Sequence, residues 1–465
     1  MARIMPQNHP MSIALRAASG AWSSRTTFML GLTTAAVGLG NLWRFSYLVG
    51  ENGGALFLLV YLATLFMVAV PVMIAEVVIG SHGRANPVSS VLAACERAKL
   101  PRVWSVMGWL MALTAILILA NYAVVGGWTL AYIQKFDGGL FSAASAQAVA
   151  AVFSSHLADP EPMVYWQSLF ILLTFTISAL GIHRGLAVLF WLAVPLLLVL
   201  LGVLIIYSLE YGAMEKAGQF LFSSVSYDFD SGSVLTAMGH AFFTLGVGVG
   251  VGIAFGAYAP EKLPIGRTVM AVAVLDTFIA IAAGIAIFPI VFANNLEPAM
   301  GPGLMFVSLP YAFGNMPQGE TYGLLFFLLV AVVAVGSAVA LAEPPMSWLK
   351  ERLRLRRPFA ALLLGGVVWL LAWASCLSFN QQQHAHWLGE LTLFQSLDVI
   401  TVEWLLPLGA LLVTLFAGYA LPRHITRLEL YRESNDFYFL WRACLRYIAP
   451  PVILFIMLAA YIGNL

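Results

Sequence analysis

Charge is scarce in this chain: of 465 residues, 23 are Lys or Arg and 22 are Asp or Glu, while 61% are hydrophobic. A water-soluble domain needs a polar exterior that so few charges cannot supply, so that class is excluded. Cysteine is scarcer still. Cys95, Cys376 and Cys444 are odd in number and far apart, which excludes a disulfide framework and a thiolate metal site. Residues 1–24 hold no apolar core long enough for a cleavable signal. The net charge of +1 offers no basis for binding nucleic acid. No His or Cys pair has metal-ligand spacing, and the histidines, including His183, His240, His384 and His386, read mostly as loop residues. An intramembrane enzyme therefore lacks support.

What is present is apolar sequence in long runs, with a mean hydropathy of +0.89. A bilayer core of about 30 Å takes roughly 20 apolar residues to cross as a helix. Such runs fall near 26–48, 55–80, 103–134, 163–180, 186–209, 235–258, 267–293, 321–349, 359–378, 397–420 and 443–463. These predict an all-α, polytopic membrane protein of eleven spans. Basic loop residues stay on the cytoplasmic side. With the N-terminus inside, all the Lys and Arg residues except Arg44, Lys135 and Lys216 fall in cytoplasmic segments, and the C-terminus lies outside.

Two spans are interrupted. Span 1 carries "AAVGLGN" (35–41) and span 6 carries "TLGVGVGVG" (244–252). Glycine-rich faces also serve simply to pack membrane helices. However, spans 1 and 6 open two successive five-span halves, and because five is odd the second half runs inverted. Interrupted helices at matching positions of inverted halves point to a transporter site near the membrane midplane. Unwinding at Ala36–Asn41 and Thr244–Gly250 would free carbonyls for a cation and aim helix N-termini at an anion. An α-amino acid carries both charges at close quarters.

The motifs "AAVGLGNLWRF", "ENGG", "FFTLGVGVG", "VLDTFIAIAAG", "GPGLMFVSLPYAFGNMPQG" and "LTLFQSLDVITVEWLLPLG" resemble those of the neurotransmitter:sodium symporter family over nearly the whole chain. The length resembles the bacterial eleven-helix amino-acid transporter branch. The resemblance implies the LeuT fold. A cytoplasmic arm (1–24) would precede two inverted five-helix repeats (25–209 and 235–420), and helix 11 with an external C-terminus (442–465) would follow. It also implies residence in a bacterial plasma (inner) membrane, in contact with lipid. Nothing in the sequence indicates oligomeric state.

Carried onto this sequence, the resemblance implies a first sodium site from the Ala36 carbonyl, Asn41, Thr244, Asp276 and the carboxylate of the bound amino acid. Hard oxygen ligands suit a small hard cation. A second sodium site would use carbonyls of Thr34, Val37 and Val333 with the Ser337 hydroxyl. There the sequence departs from the family, since Gly336 stands where another hydroxyl residue is expected. Substrate contacts would be Tyr122, through its hydroxyl to the carboxylate, Phe243 as a lid, and the backbone amides of Gly38 and Gly40. Ile118, Gly246, Val249, Ser337 and Leu341 would line the rest of the pocket, together with Ala36 and Thr244. Its small walls and lack of a charge partner predict a neutral, fairly large apolar or aromatic amino acid. Chloride-dependent animal members commonly have asparagine where Asp276 stands, so no chloride requirement is expected.

Glu76 lies mid-span and far from any basic residue, and the resemblance implies that it supports the unwound part of span 6, with ion binding as the alternative. Arg44 and Asp398 would pair as an outer gate above Phe243. At the inner gate Trp22 and Glu351 are present, but the basic partner of Glu351 is replaced by Ser19, leaving Arg16 or Arg25 to substitute. Gly185 and Pro195 reproduce the spacing at which span 5 unwinds toward the second sodium site. These features point to a sodium-coupled importer working by alternating access. The same site residues would also serve a sodium-independent or proton-coupled exchanger, or a sensor that binds without transporting.

Overall fold

The computed structural model describes residues 22–42, 44–223, 229–297 and 301–463. Among them, nine helices are long and apolar enough to cross a membrane. They are α4 (Ala55–Gly83), α5 (Arg102–Asp137), α6 (Pro160–Ala179), α7 (Ile182–Tyr211), α10 (Ile265–Ala293), α11 (Gly319–Arg352), α12 (Arg357–Leu377), α13 (Leu393–Ala420) and α14 (Asn435–Ile462). The two predicted spans missing from this set are the interrupted ones. The first is present as α1 (Arg25–Ala36), α2 (Leu39–Leu42) and α3 (Arg44–Glu51), the second as α8 (Ser231–Leu245) and α9 (Val251–Ala257). The end of the bundle that carries Arg84 and Lys350 is called the inner end below, and the opposite end the outer one.

The local causes of the two breaks differ. Ser24 caps α1, accepting the Thr27 N–H at 3.1 Å. The helix stops at Ala36 because Val37 turns to an extended ψ of 104°. Chain direction is recovered when the Asn41 side-chain oxygen accepts the Gly38 N–H at 2.9 Å. The break is thus narrower than the expected Ala36–Asn41, and Asn41 lies in the helical turn α2. A capping box of Asp230 and Ser233 starts α8, which ends where Gly246 takes φ +60°, with Gly248 and Gly250 also at positive φ. Thr244 likewise remains helical, so this break covers Gly246–Gly250.

Burial in a membrane makes every freed N–H expensive, and Glu76 of α4 answers two of them. Its carboxylate accepts the N–H of Gly248 at 2.7 Å and of Gly252 at 3.1 Å. The approach is close because α9 is nearly bare on that side: a Cβ on Gly252 would lie 2.7 Å from the Cβ of Glu76. Gly185 is equally tight, since a Cβ there would meet the Ile177 carbonyl oxygen at 2.1 Å. Pro195 lies inside α7, whose helix continues through it in this structure.

Candidate functional site

Three buried polar side chains from three elements meet beside the two breaks. Asn41 donates through Nδ2 to Asp276 Oδ1 at 2.8 Å and to Thr244 Oγ1 at 3.2 Å, and Thr244 Oγ1 donates to Asp276 Oδ2 at 2.8 Å. Asp276 comes from α10, a full 235 positions from Asn41. A buried carboxylate held by one amide and one hydroxyl, with no cationic side chain among these partners, is chemistry suited to a small cation.

Against this cluster lies a cavity of about 60 Å³. Its walls include every one of the expected pocket residues: Ala36, Gly38, Gly40, Ile118, Tyr122, Phe243, Thr244, Gly246, Val249, Ser337 and Leu341. A Cβ on Gly246 would meet nothing within 4 Å, so the wall there is open space. One amide expectation changes: the Gly38 N–H is committed to Asn41. At Gly40 the Phe243 ring packs 3.0 Å from the position of a Cβ. It is instead the Leu39 N–H that points to Tyr122, donating to its hydroxyl at 3.3 Å.

Four further lining residues escape the site assignment from sequence: Ala35, Leu39, His240 and Leu406. His240 is not a loop residue: it lies buried in α8, stacked on Phe45 with ring centroids 5.4 Å apart, and neither ring nitrogen has a partner. An ionisable group in mid-membrane, one turn before Phe243, was the available signal.

Residues 19–141 and 153–464 match the family described as the sodium:neurotransmitter symporter family. The chain belongs to that family. An uncharacterized sodium-dependent transporter of Bacillus subtilis, YhdH, is 29% identical over 444 residues, spanning 94% of this chain and 96% of the relative. A second uncharacterized sodium-dependent transporter, from Haemophilus influenzae, is 29% identical over 449 residues, 94% of this chain and 97% of the relative. The crystal structure of MhsT in complex with L-phenylalanine superimposes with a TM-score of 0.86 at 38% identity, covering 95% of this chain and 99% of that one. The protein is therefore a membrane transporter of LeuT fold and not an enzyme.

At the second expected ion site the Ser337 hydroxyl bonds the backbone of the first span. Ser337 Oγ lies 3.1 Å from the Thr34 carbonyl oxygen and 2.8 Å from that of Val37. Val333 is buried beside them, sharing a small cavity with Thr34 and Val37. Gly336 has a steric cause: a Cβ there would lie 2.4 Å from Thr34 Cγ2.

The gates depart further from expectation. Among the described residues no ion pair within 4.0 Å joins Arg44 to Asp398. Arg44 is exposed, with its guanidinium carbon 5.6 Å from the centroid of the Phe243 ring. A cavity of about 380 Å³ separates the outer elements, bounded by Arg44, His240, Phe243, Glu403, Leu406 and Ile456 among others. At the inner end Trp22 is sealed in, its N–H bonded to the Tyr258 carbonyl at 2.8 Å and its indole N–H to that of Phe255 at 3.1 Å.

Among the described residues Glu351 meets no base within ion-pair distance. It accepts from the backbone and side-chain nitrogens of Asn86, at the start of the helix Pro87–Ala98, where a carboxylate is electrostatically favoured. Arg25 donates instead to Thr268 Oγ1 at 3.1 Å, and Ser19 and Arg16 lie outside the described residues. A deeply buried ionic tie at this end joins Glu343 and Arg357, with contacts of 3.0 and 2.5 Å. Tyr258 adds a hydrogen bond to Glu343 at 2.8 Å. The signal was an acid inside span 8 followed by an arginine opening span 9.

Proposed function

We propose that this protein imports a neutral, large apolar or aromatic amino acid together with sodium, by alternating access. The observation that carries the reading is the shared wall: Asn41 and Thr244 belong both to the buried carboxylate cluster and to the lining of the pocket. An ion held by Asn41, Thr244, Asp276 and the Ala36 carbonyl would complete its shell with the carboxylate of the amino acid. Each ligand then raises the affinity of the other by the same factor.

Among the described residues, those lining the pocket include no Asp, Glu, Lys or Arg to pair with a charged side chain of a substrate. Ile118, Val249 and Leu341 offer apolar contact, and burying an apolar side chain there contributes roughly 1.5–3 kcal/mol. The MhsT complex contains phenylalanine, a solute of this class. Asp276 supplies a fixed negative charge beside the cation, so transport runs without chloride. Two inverted halves, 25–209 and 235–420, move around the site. The outer cavity and the sealed Trp22 are the arrangement of a state open outward, which fits import. The distribution of basic residues puts the N-terminus in the cytoplasm and the C-terminus outside a bacterial inner membrane.

Gly336 lends support to one other reading, a sodium-independent or proton-coupled exchanger of the same fold. Uptake of labelled phenylalanine into proteoliposomes decides between them. Accumulation driven by an inward sodium gradient and abolished by potassium replacement supports the symporter, undiminished uptake in potassium supports the exchanger, and binding without accumulation supports a sensor.

A further inference from the structure

Close to the first site lies a second convergence of backbone oxygens. The C-terminal end of α1 presents the carbonyls of Thr34 and Val37, and the negative end of a helix dipole collects there. Ser337 supplies one hydroxyl from α11. The next position on α11, Gly336, cannot supply another, because the Thr34 methyl fills the space its side chain would need.

One hydroxyl in the same place is unaccounted for. Thr33 is wholly buried, and its Oγ1 has no hydrogen-bond partner. Its neighbour Thr34 does the ordinary thing for a hydroxyl in a helix and bonds the carbonyl one turn back, that of Leu30, at 2.8 Å. Leaving a buried hydroxyl unpaired costs about 1–3 kcal/mol, so the orphan needs a reason. It borders a small cavity whose other walls are Thr34, Val37, Val332 and Val333 and, from α7, Ala193, Val194 and Leu197. Thr34, Val37 and Val333 are three of the four residues that make up the second ion site.

We propose that Thr33 is an oxygen ligand of a second sodium ion, supplying from α1 the hydroxyl that Gly336 cannot supply from α11. The inference rests on the sodium-symporter reading and goes beyond it in assigning the ligand and the ion count. The substitution is sterically self-consistent. A β-branched residue at 34 forces glycine at 336, and the lost oxygen reappears at 33, on the wall of the adjoining cavity.

The test is a sodium titration of the melting temperature of the purified full-length protein, against potassium at constant ionic strength and without amino acid. Thr33→Val keeps the branched shape and removes the oxygen, Thr33→Ser keeps the oxygen, and Asn41→Ala disables the first site so that the second is read alone. In the Asn41→Ala background sodium should still stabilise the protein. Adding Thr33→Val should raise the half-maximal sodium concentration at least about tenfold, or 1.4 kcal/mol, and Thr33→Ser should leave it within about threefold. Equal titrations for Thr33→Val and its parent would overturn the proposal, and would mean that the cavity holds water only. If the wild-type chain bound phenylalanine with sodium dependence in that case, the symporter reading would survive. A wild-type chain with no sodium response of any kind would overturn both. Thr33→Ala gives the same comparison should the valine variant not fold.

Discussion

Asn41 Nδ2 lies 2.8 Å from Asp276 Oδ1, joining the break in the first span to the middle of α10. Thr244, from the second interrupted span, closes the triangle. Both interruptions therefore end on one carboxylate, which is why an ion bound there would report on the amino acid beside it.

Asn41→Ala or Thr244→Ala should weaken sodium and amino-acid binding together, each by roughly tenfold or more, within the usual range of coupling free energies. Isothermal titration of phenylalanine at several sodium concentrations measures both. Loss of sodium affinity with amino-acid binding unchanged and still sodium-dependent would misplace the site.

Asp276→Asn should create a chloride requirement. A carboxylate about 4 Å from the ion, at an effective dielectric near 20, is worth roughly 4 kcal/mol before desolvation. The wild-type protein should keep its uptake when gluconate replaces chloride. A large loss would contradict the charge-substitution argument.

Glu76→Gln retains one acceptor oxygen for two amides, those of Gly248 and Gly252. One N–H is left unpaired, at a cost of about 1–3 kcal/mol. The variant should melt lower and bind amino acid more weakly. Unchanged stability would mean that the carboxylate does not hold the second break together.

Arg357→Ala strands the carboxylate of Glu343, which is fully buried. Breaking a buried pair from one side typically costs about 3–5 kcal/mol, whereas removing both charges costs far less. Thermal unfolding should therefore rank Glu343→Gln with Arg357→Met as more stable than Arg357→Ala alone. The reverse order would deny the pair its place as a tie at the inner end.

Val249→Phe should shift selectivity toward smaller amino acids, because Val249 walls the pocket near the open space at Gly246. Competition of alanine and leucine against labelled phenylalanine measures the change.

Much of this was legible in the sequence because membrane burial makes polar and backbone signals expensive, and so rare. Glycines inside apolar runs marked both breaks, Glu76 stood out as an isolated intramembrane acid, and Asp276 followed from the family resemblance. The extent of each break was not legible. It depends on side-chain capping, by Asn41 in one case and by Glu76 in the other, across more than a hundred positions in the second. A second tie at the inner end went unread for a related reason: Glu351 and Glu343 lie on one helix, and only the fold shows that Glu343 meets Arg357. Thr33 gave no signal at all, since a threonine in a membrane helix ordinarily bonds its own backbone.

The most direct test of the central claim is a thermal-shift screen of the twenty amino acids, each in sodium and in potassium. Binding to the folded state raises its stability by mass action, by about 2.7 kcal/mol at a ligand concentration 100 times Kd. The account predicts stabilisation by large neutral amino acids such as phenylalanine, leucine or tryptophan, in sodium and not in potassium. Stabilisation by glutamate, lysine or glycine in preference to these, or equal stabilisation in potassium, would contradict it.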